Sequence, residues 1–382
     1  MADWSKLKTQ AIAIASTARS RVKSLLAGGP VLSVDLGGSA IKIALIAEEA
    51  GGLEMKAWGH APLDVDPEAP ADDRKAKMID VLRQVLSIKG LKLKRAATSL
   101  SGNSVLVRYV RFPSLSPAEL AAVLPIEAEP FIPFDINEVQ LSFHVLGEAE
   151  EDGQKKMDTV LVAAKRDLVS SRVDVLRDAG LSPALIDVDS FALENVCARL
   201  PEGQAGTTLC LNIGHSATNL SLIADGATRV VRDIFIGGHA VTKAVMKELS
   251  CDYARAEEFK KSCGLFLDEE KSRALQEQKN DELAAAAAAA QVVKDLVTEV
   301  HRSVDFYLSQ GPDRAITGVV LSGGSARLKN LPHFLSEDLK VPVSLLNPMA
   351  ALKQIPDDFP AELSPSFAVA VGLALRCAGG AP

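Results

Sequence analysis

A glycine-rich strand-turn-strand motif occurs twice in this chain and constrains the fold more than any other feature. The first copy spans residues 31–46, where two β-rich runs flank Gly37-Gly38-Ser39. The second copy spans residues 209–223, where two further β-rich runs flank Gly214-His215-Ser216. Because chance seldom repeats a whole motif inside one chain, the repeat predicts two duplicated lobes that each begin with the same hairpin.

The first motif carries the residue types that bind a phosphate. Gly37 and Gly38 let the backbone approach a ligand closely and present N–H donors. Ser39 adds a hydroxyl and Lys42 adds a cation. Asp35, at the end of the first strand, is placed to hold a hydrated Mg²⁺ beside the phosphates. Taken alone, this copy is also compatible with a plain β-hairpin.

The second motif repeats a polar residue at the strand end, a glycine turn and a cluster of hydroxyl side chains. Its candidate binding residues are Asn212, Gly214, Ser216 and Thr218. Two such hairpins, one in each lobe, would close around a single polyphosphate. We interpret His215 as a turn residue, because no other His or Cys lies at a metal-binding spacing from it.

Composition narrows the fold class and excludes several functions. At 382 residues the chain is longer than one hydrophobic core supports, so two lobes are expected. Only 4% of residues are aromatic, which leaves aliphatic side chains to form a core of the kind found in α/β proteins. The net charge of −7 argues against a nucleic-acid partner. The five cysteines contain no Cys-x-x-Cys pair, so neither a zinc site nor a disulfide framework is predicted.

Residues 1–29 differ from the rest of the chain. Apolar side chains recur there every three or four positions, which predicts an amphipathic helix. The segment has five basic residues against one acidic residue, which favours contact with an anionic membrane surface. A helical arm packed loosely on the protein is the alternative. The sequence contains no run of about 18 or more apolar residues that would span a bilayer, so we expect a protein that does not cross a membrane.

Together, these motifs resemble the actin-like ATPase superfamily of actin, sugar kinases and heat-shock chaperones. The resemblance implies an α/β, ribonuclease H-like fold of two duplicated lobes around a cleft, with ATP and Mg²⁺ as the cofactors. It implies further nucleotide-binding residues in a glycine turn before a helix, in a segment near the ribose and adenine, and in an adenosine loop over residues 319–330. These residues are Gly237, Gly238, Glu257, Lys260, Lys261, Gly323, Gly324 and Ser325.

The superfamily pattern raises the question of hydrolysis. It places a polar residue on a connecting helix to orient the attacking water, and Asp189 is the candidate, with a helix cap as the alternative. Asn212 stands where the superfamily usually has an acid. Because an amide adds no charge to a metal site, we expect nucleotide binding and leave hydrolysis open.

The segment over about 104–182 resembles the inserted subdomain shared by the FtsA and PilM families, and is closer to PilM in its Phe-Ile-Pro-Phe run. The resemblance implies a cytoplasmic protein at the inner face of the bacterial inner membrane. Such a protein binds the extended N-terminal tail of the membrane protein PilN and works with other pilus platform and motor proteins. The candidate partner-binding residues are Arg108, Arg111, Phe131 and Phe134. Both phenylalanines are also compatible with the core of the insert.

The expected organisation follows from these elements. A first lobe spans residues 30–204 and is completed by a C-terminal helix over 363–377, and a second lobe spans residues 205–362. Residues 284–290, an alanine run, are expected to form an exposed part of a long helix. Two other functions stay open, an actin-like phosphotransferase or kinase and a GspL-like cytoplasmic platform protein of type II secretion.

Overall fold

The computed structural model describes residues 29–379 apart from 67, 152, 202–205, 225–226 and 310–314. The helix predicted over residues 1–29 therefore lies outside the described residues, except for its last position, and stays a prediction. The described residues form thirteen strands and ten α-helices.

The strands belong to three sheets. The sheet of the first lobe contains β1 Leu32–Leu36, β2 Ala40–Glu49, β3 Gly52–Pro62, β4 Arg95–Leu100 and β8 Ser182–Val188. The insert contributes β5 Val105–Pro113, β6 Val139–Glu151 and β7 Gln154–Lys165. The second half of the chain contributes β9 Thr207–Ile213, β10 Thr218–Ala224, β11 Ala227–Ile234, β12 Gly318–Ser322 and β13 Val343–Leu345.

The helices connect and cover these strands. In the first half they are α1 Ala71–Ile88, α2 Pro117–Ala128, α3 Arg166–Asp178 and α4 Asp189–Cys197. In the second half they are α5 Gly238–Leu249, α6 Tyr253–Cys263, α7 Asp268–Gln276, α8 Asn280–Leu308, α9 Leu331–Leu339 and α10 Ala368–Gly379.

The two five-stranded sheets have the same topology. The first has the order β3-β2-β1-β4-β8 and the second has the order β11-β10-β9-β12-β13. In each sheet the first three strands form an antiparallel meander, and the next two strands add in parallel through helical crossovers. All seven residues of β9 and of β10 are buried, as expected for strands covered on both faces. The duplication predicted from the two hairpins is thus confirmed.

The last described helix completes the core of the first lobe. α10 packs against α4 and β2, and Phe367, Val371 and Leu375 are fully buried there. A Cβ at Gly372 would lie 1.8 Å from the carbonyl oxygen of Ala192, so only glycine fits this crossing. Among the described residues, the segment Ala361–Ala378 is long and apolar enough to span a membrane, but 67% of it is buried inside the protein, as in a core helix.

The alanine run of α8 is not an exposed extension, so that prediction was wrong. Ala285, Ala286 and Ala289 are buried against α5 and α6, beside Val245 and Phe259. Small side chains let the helices approach closely, and the buried face is made of alanine for that reason. Helix propensity alone did not distinguish this face from a solvated one.

The insert forms its own small layer. Its sheet has the order β5-β7-β6, and α2 covers one face with a core that includes Phe112, Leu120 and Leu161. On the other face, Val107 packs near Val231 of β11. The insert therefore contacts both lobes, which places it beside the cleft between them.

Candidate functional site

A cleft of about 1440 Å³ between the lobes collects most of the residues predicted to bind a nucleotide. From the first lobe it is lined by Asp35, Gly37, Gly38, Ser39, Lys42 and Asp189. From the second lobe it is lined by Asn212, Gly214, Ser216, Gly238, Glu257, Lys260, Lys261, Gly323, Gly324 and Ser325. The cleft exceeds the usual size of a small-molecule site, so a nucleotide with its phosphates would fit.

The first glycine-rich hairpin, residues 31–46, is called the first phosphate loop because it is predicted to bind phosphate, and the equivalent hairpin over 209–223 is called the second. The first loop is a tight hairpin with an ion pair across its base. Asp35 and Lys42 are opposite each other on β1 and β2, and the Lys42 Nζ lies 2.9 Å from the Asp35 carboxylate. Both side chains are largely buried. A Cβ at Gly37 would lie 2.7 Å from the Ala40 carbonyl oxygen, so the turn closes only with glycine at this position.

The second phosphate loop has the same closure and is also tied to its neighbours. A Cβ at Gly214 would lie 2.9 Å from the Ala217 carbonyl oxygen, which matches the first loop. The Gly214 carbonyl accepts hydrogen bonds from the Gly238 backbone N–H at 2.9 Å and from the Ser325 hydroxyl at 2.9 Å. One carbonyl thus joins the phosphate loop, the start of α5 and the adenosine loop.

Two predicted residues do not line the cleft. The Thr218 hydroxyl is buried and donates to the Ile236 carbonyl at 2.7 Å. A Cβ at Gly237 would lie 2.6 Å from the His215 carbonyl oxygen. Both residues pack on the side of the loop that faces away from the cleft. Their binding roles were predicted from their positions in the motifs alone.

The side-chain nitrogen and oxygen of Asn212 both form hydrogen bonds within the protein. Its Nδ2 donates to the Asn219 Oδ1 at 2.9 Å, and its Oδ1 accepts from the Ser322 hydroxyl at 3.3 Å. Asn219 in turn donates to Asp233 at 2.6 Å, and Asp233 accepts from the Gly102 backbone N–H of the first lobe at 2.5 Å. The amide therefore belongs to a structural network that crosses from one lobe to the other.

Asp189 opens α4 and lies beside the first phosphate loop. Burial, and after it the nearby Asp35 carboxylate, raise the pKa of Asp189 to about 6, although hydrogen bonds from Ser99 and Ser101 partly oppose the shift. Two neighbouring carboxylates without full compensation suit a hydrated divalent cation that also contacts phosphate oxygens. Among the described residues there is no group of three or more His, Cys, Asp or Glu side chains that would form an all-protein metal cage.

The predicted nucleoside-binding residues form a compact group between α5 and α6. The Lys260 Nζ donates to the Glu257 carboxylate and, at 2.9 Å, to the Thr242 hydroxyl. Lys261 is mostly exposed, with its Nζ 3.7 Å from Glu257. This group holds Glu257 and Lys260 in fixed positions at the second-lobe wall of the cleft.

Several cleft residues were not found by sequence reasoning. Arg74 and Arg172 line the first-lobe side, and His239 lies at the mouth, where Glu68 contacts both it and Lys243. Arg74 and Arg172 come from helices without a local motif, and only the tertiary fold brings them to the cleft. His239 directly follows the Gly237-Gly238 turn, so its position could have been found from the sequence.

The candidate partner-binding residues lie on the insert in different environments. Phe134 is half-buried on the insert core with the Lys165 Nζ 5.1 Å above its ring, whereas Phe131 is 40% exposed and packs edge-on against Phe112. Arg111 pairs with Asp158 and Glu151, and Arg108 is exposed with one bond to the Val107 carbonyl. Their role in binding stays a prediction.

The insert sheet also presents strand edges. In the order β5-β7-β6, the central strand is β7, so β5 and β6 each have one edge without a partner strand among the described residues. Free strand edges and a partly exposed aromatic side chain are what an extended peptide requires.

Comparisons with known proteins agree on one family. Residues 33–378 match the family described as type IV pilus assembly protein PilM. A solved PilM-PilN type IV pilus biogenesis complex contains a chain 28% identical to this one, with a TM-score of 0.77, covering 91% of this chain and 98% of that chain.

Two further solved structures are more distant. The ethanolamine utilization protein EutJ from Carboxydothermus hydrogenoformans is 16% identical, covering 91% of this chain and 89% of that chain, with a TM-score of 0.49. MreB 5 of Spiroplasma citri bound to AMPPNP is 12% identical, covering 91% of this chain and 96% of that chain, with a TM-score of 0.48. At these scores neither carries an argument about function.

Proposed function

This chain belongs to the family of type IV pilus assembly protein PilM, and from that premise we propose that it is a nucleotide-holding scaffold on the cytoplasmic face of the inner membrane. Its partner is the N-terminal tail of a PilN-like protein within the pilus assembly platform. The solved relative in complex with PilN supports this partner. The kinase and GspL-like alternatives are not favoured.

The nucleotide proposal depends on one observation, the convergence of two glycine-closed hairpins on a single cleft. Gly37 and Gly214 close their turns against equivalent carbonyl groups, of Ala40 and Ala217 respectively. The backbone N–H groups of such turns suit the phosphates of ATP. Asp35, through water, would hold a Mg²⁺ ion whose charge offsets that of the phosphates.

Hydrolysis is expected to be weak or absent. The Asn212 amide carries no charge, and its Nδ2 and Oδ1 each already form a hydrogen bond within the protein, so it binds a hydrated metal ion more weakly than an acid would. Asp189 remains the candidate for orienting a water molecule. We therefore propose that bound ATP acts mainly by fixing the relative position of the lobes.

Nucleotide binding is tested by calorimetric titration of the full chain with ATP and with ADP, with and without Mg²⁺. We expect saturable binding of ATP that Mg²⁺ strengthens, and an Asp35→Asn variant that loses the Mg²⁺ dependence. Absence of heat in every titration would contradict the proposal, provided that circular dichroism shows a folded protein.

Partner binding is tested at the insert. A peptide from the N-terminal tail of the PilN-like protein would be titrated against Phe131→Ala, with Phe306→Ala as a matched control because Phe306 is 60% exposed on α8. We expect about tenfold weaker binding for Phe131→Ala, as for an aromatic anchor, and no change for Phe306→Ala. Equal affinities at unchanged melting temperatures would exclude Phe131 from the interface.

A further inference from the structure

Arg172 is placed in the cleft by α3, a helix without any nucleotide-binding motif. Its side chain lines the first-lobe wall, and its Nη1 donates to the Leu36 carbonyl, 3.1 Å away, immediately before the first glycine turn. Its Nε is buried and has no hydrogen-bond partner among the residues that the structure describes. A buried donor without an acceptor destabilises the folded protein, so an acceptor from a ligand would be favourable at this position.

The charges around Arg172 identify the kind of acceptor. Burial lowers the pKa of Arg172, the nearby carboxylates of Asp189 and Asp35 partly oppose this shift, and the like charge of Arg74 adds to it. Within the described part of the chain, no carboxylate lies within 4.0 Å of the guanidinium to form an ion pair. Arg172 is thus a largely buried cation whose one hydrogen-bond acceptor among the described residues is a carbonyl oxygen, and an anionic ligand would compensate its charge.

The position of Arg172 in the cleft indicates which part of a bound nucleotide it would contact. The predicted nucleoside-binding residues, Glu257, Lys260 and Ser325, all lie on the second lobe. Arg172 lies on the first lobe beside Asp35 and Asp189, at the opposite wall. A nucleotide held by its nucleoside at the second lobe would extend its phosphate chain toward Arg172.

We propose that Arg172 binds the terminal phosphate of ATP and so makes the cleft distinguish a nucleoside triphosphate from a diphosphate. This inference rests on the proposed nucleotide-binding function. A guanidinium offers several N–H donors in a planar fork, which suits phosphate oxygens better than a single ammonium group does. A diphosphate, one group shorter, would leave the guanidinium without this anionic partner.

The test compares ATP and ADP affinities of the full chain by calorimetry in excess Mg²⁺. The variants are Arg172→Gln, Arg172→Lys and the control Arg177→Gln, which removes an exposed arginine from the last turn of the same helix. For Arg172→Gln we expect ATP affinity to fall about tenfold or more and ADP affinity to fall less than about threefold. Arg172→Lys keeps the charge without the fork and should lie between. Arg177→Gln should bind both nucleotides like the parent chain.

Each other outcome has a definite meaning. Equal losses of ATP and ADP affinity in Arg172→Gln would show that the residue only supports the backbone at Leu36, and would overturn the inference. Unchanged affinities would overturn it as well. A parent chain that binds neither nucleotide would overturn the proposed function, whereas a parent chain that binds both, with a ratio unaffected by Arg172, would overturn this inference alone. Thermal melting without nucleotide establishes that each variant is folded.

Discussion

In the first lobe, a row of side chains across three strands runs from Asp35 through Lys42 to His60. In the second lobe, the row at the same distance from the glycine turn runs from Asn212 through Asn219 to Asp233. The strand order, the register and the glycine closure are shared, but the charges are not. In the first row the acid, Asp35, lies on the first strand of the meander, β1, and in the second row the acid, Asp233, lies on the third strand, β11.

This difference separates two tasks within one repeated backbone. The Asp35–Lys42 pair places charged groups beside the first glycine turn, where we propose that phosphates and a metal ion bind. The second row has a neutral amide at the cleft, and its carboxylate, Asp233, accepts from Gly102 of the other lobe. The first loop therefore suits electrostatic binding, and the second loop combines backbone binding with lobe-to-lobe attachment.

The largest expected effect on stability comes from replacing Asn212 of the second loop with aspartate, the residue at the equivalent position of the first loop. Asn212→Asp removes the donor to Asn219 and buries a second carboxylate near Asp233, so we expect a loss of about 3 kcal/mol in the free energy of unfolding. Urea denaturation measures it, and Asp35→Asn in the first lobe serves as the reverse exchange with a smaller loss. An Asn212→Asp protein as stable as the parent chain would show that the two rows are interchangeable.

A second prediction concerns pH and the first lobe. Because the pKa of Asp189 is raised to about 6 from an ordinary value of 3.8, its ionised form destabilises the folded protein. Without nucleotide, Asp189→Asn should be more stable than the parent chain by about 2 kcal/mol above pH 7. This advantage should shrink as the pH falls from 6 to 4, where the parent carboxyl becomes protonated. Denaturation curves at several pH values measure the difference, and a constant difference would exclude this origin.

The smallest expected effect lies at the contact between the lobes. Asp233→Ala removes the acceptor of the Gly102 N–H, and we expect a loss of about 1 kcal/mol together with faster hydrogen exchange at that amide. Asp305→Ala, at an exposed position of α8, is the control. If the Gly102 amide exchanged at the same rate in both variants, the second row would have no role in joining the lobes.

Local features made much of the fold predictable. The glycine turns and flanking β-rich runs fixed both hairpins, and their repetition predicted the duplicated lobes, which the structure and the family match confirm. The adenosine loop and the α5 turn were predicted from the resemblance to the actin-like superfamily, whose glycine-rich elements occur here in the expected order. The binding role of each residue in these loops stays a prediction.

Other features depend on packing that no short window of sequence contains. Arg172 reaches the cleft only because α3 lies beside β1, and Asp233 faces Gly102 only once the register of β9, β10 and β11 is set. The alanine face of α8 was misjudged because alanine has the same helix propensity whether it is solvated or buried. In each case the missing information was a partner distant in sequence.

The placement of α10 has a consequence for how the protein is made. Residues 368–379 supply part of the core beneath β1 and β2, so the first lobe stays incomplete until the ribosome has released nearly all of the described chain. The second lobe, by contrast, is contiguous and has its whole sheet available earlier. During synthesis the order of maturation would thus run opposite to the order of translation, with the nucleotide cleft assembled last.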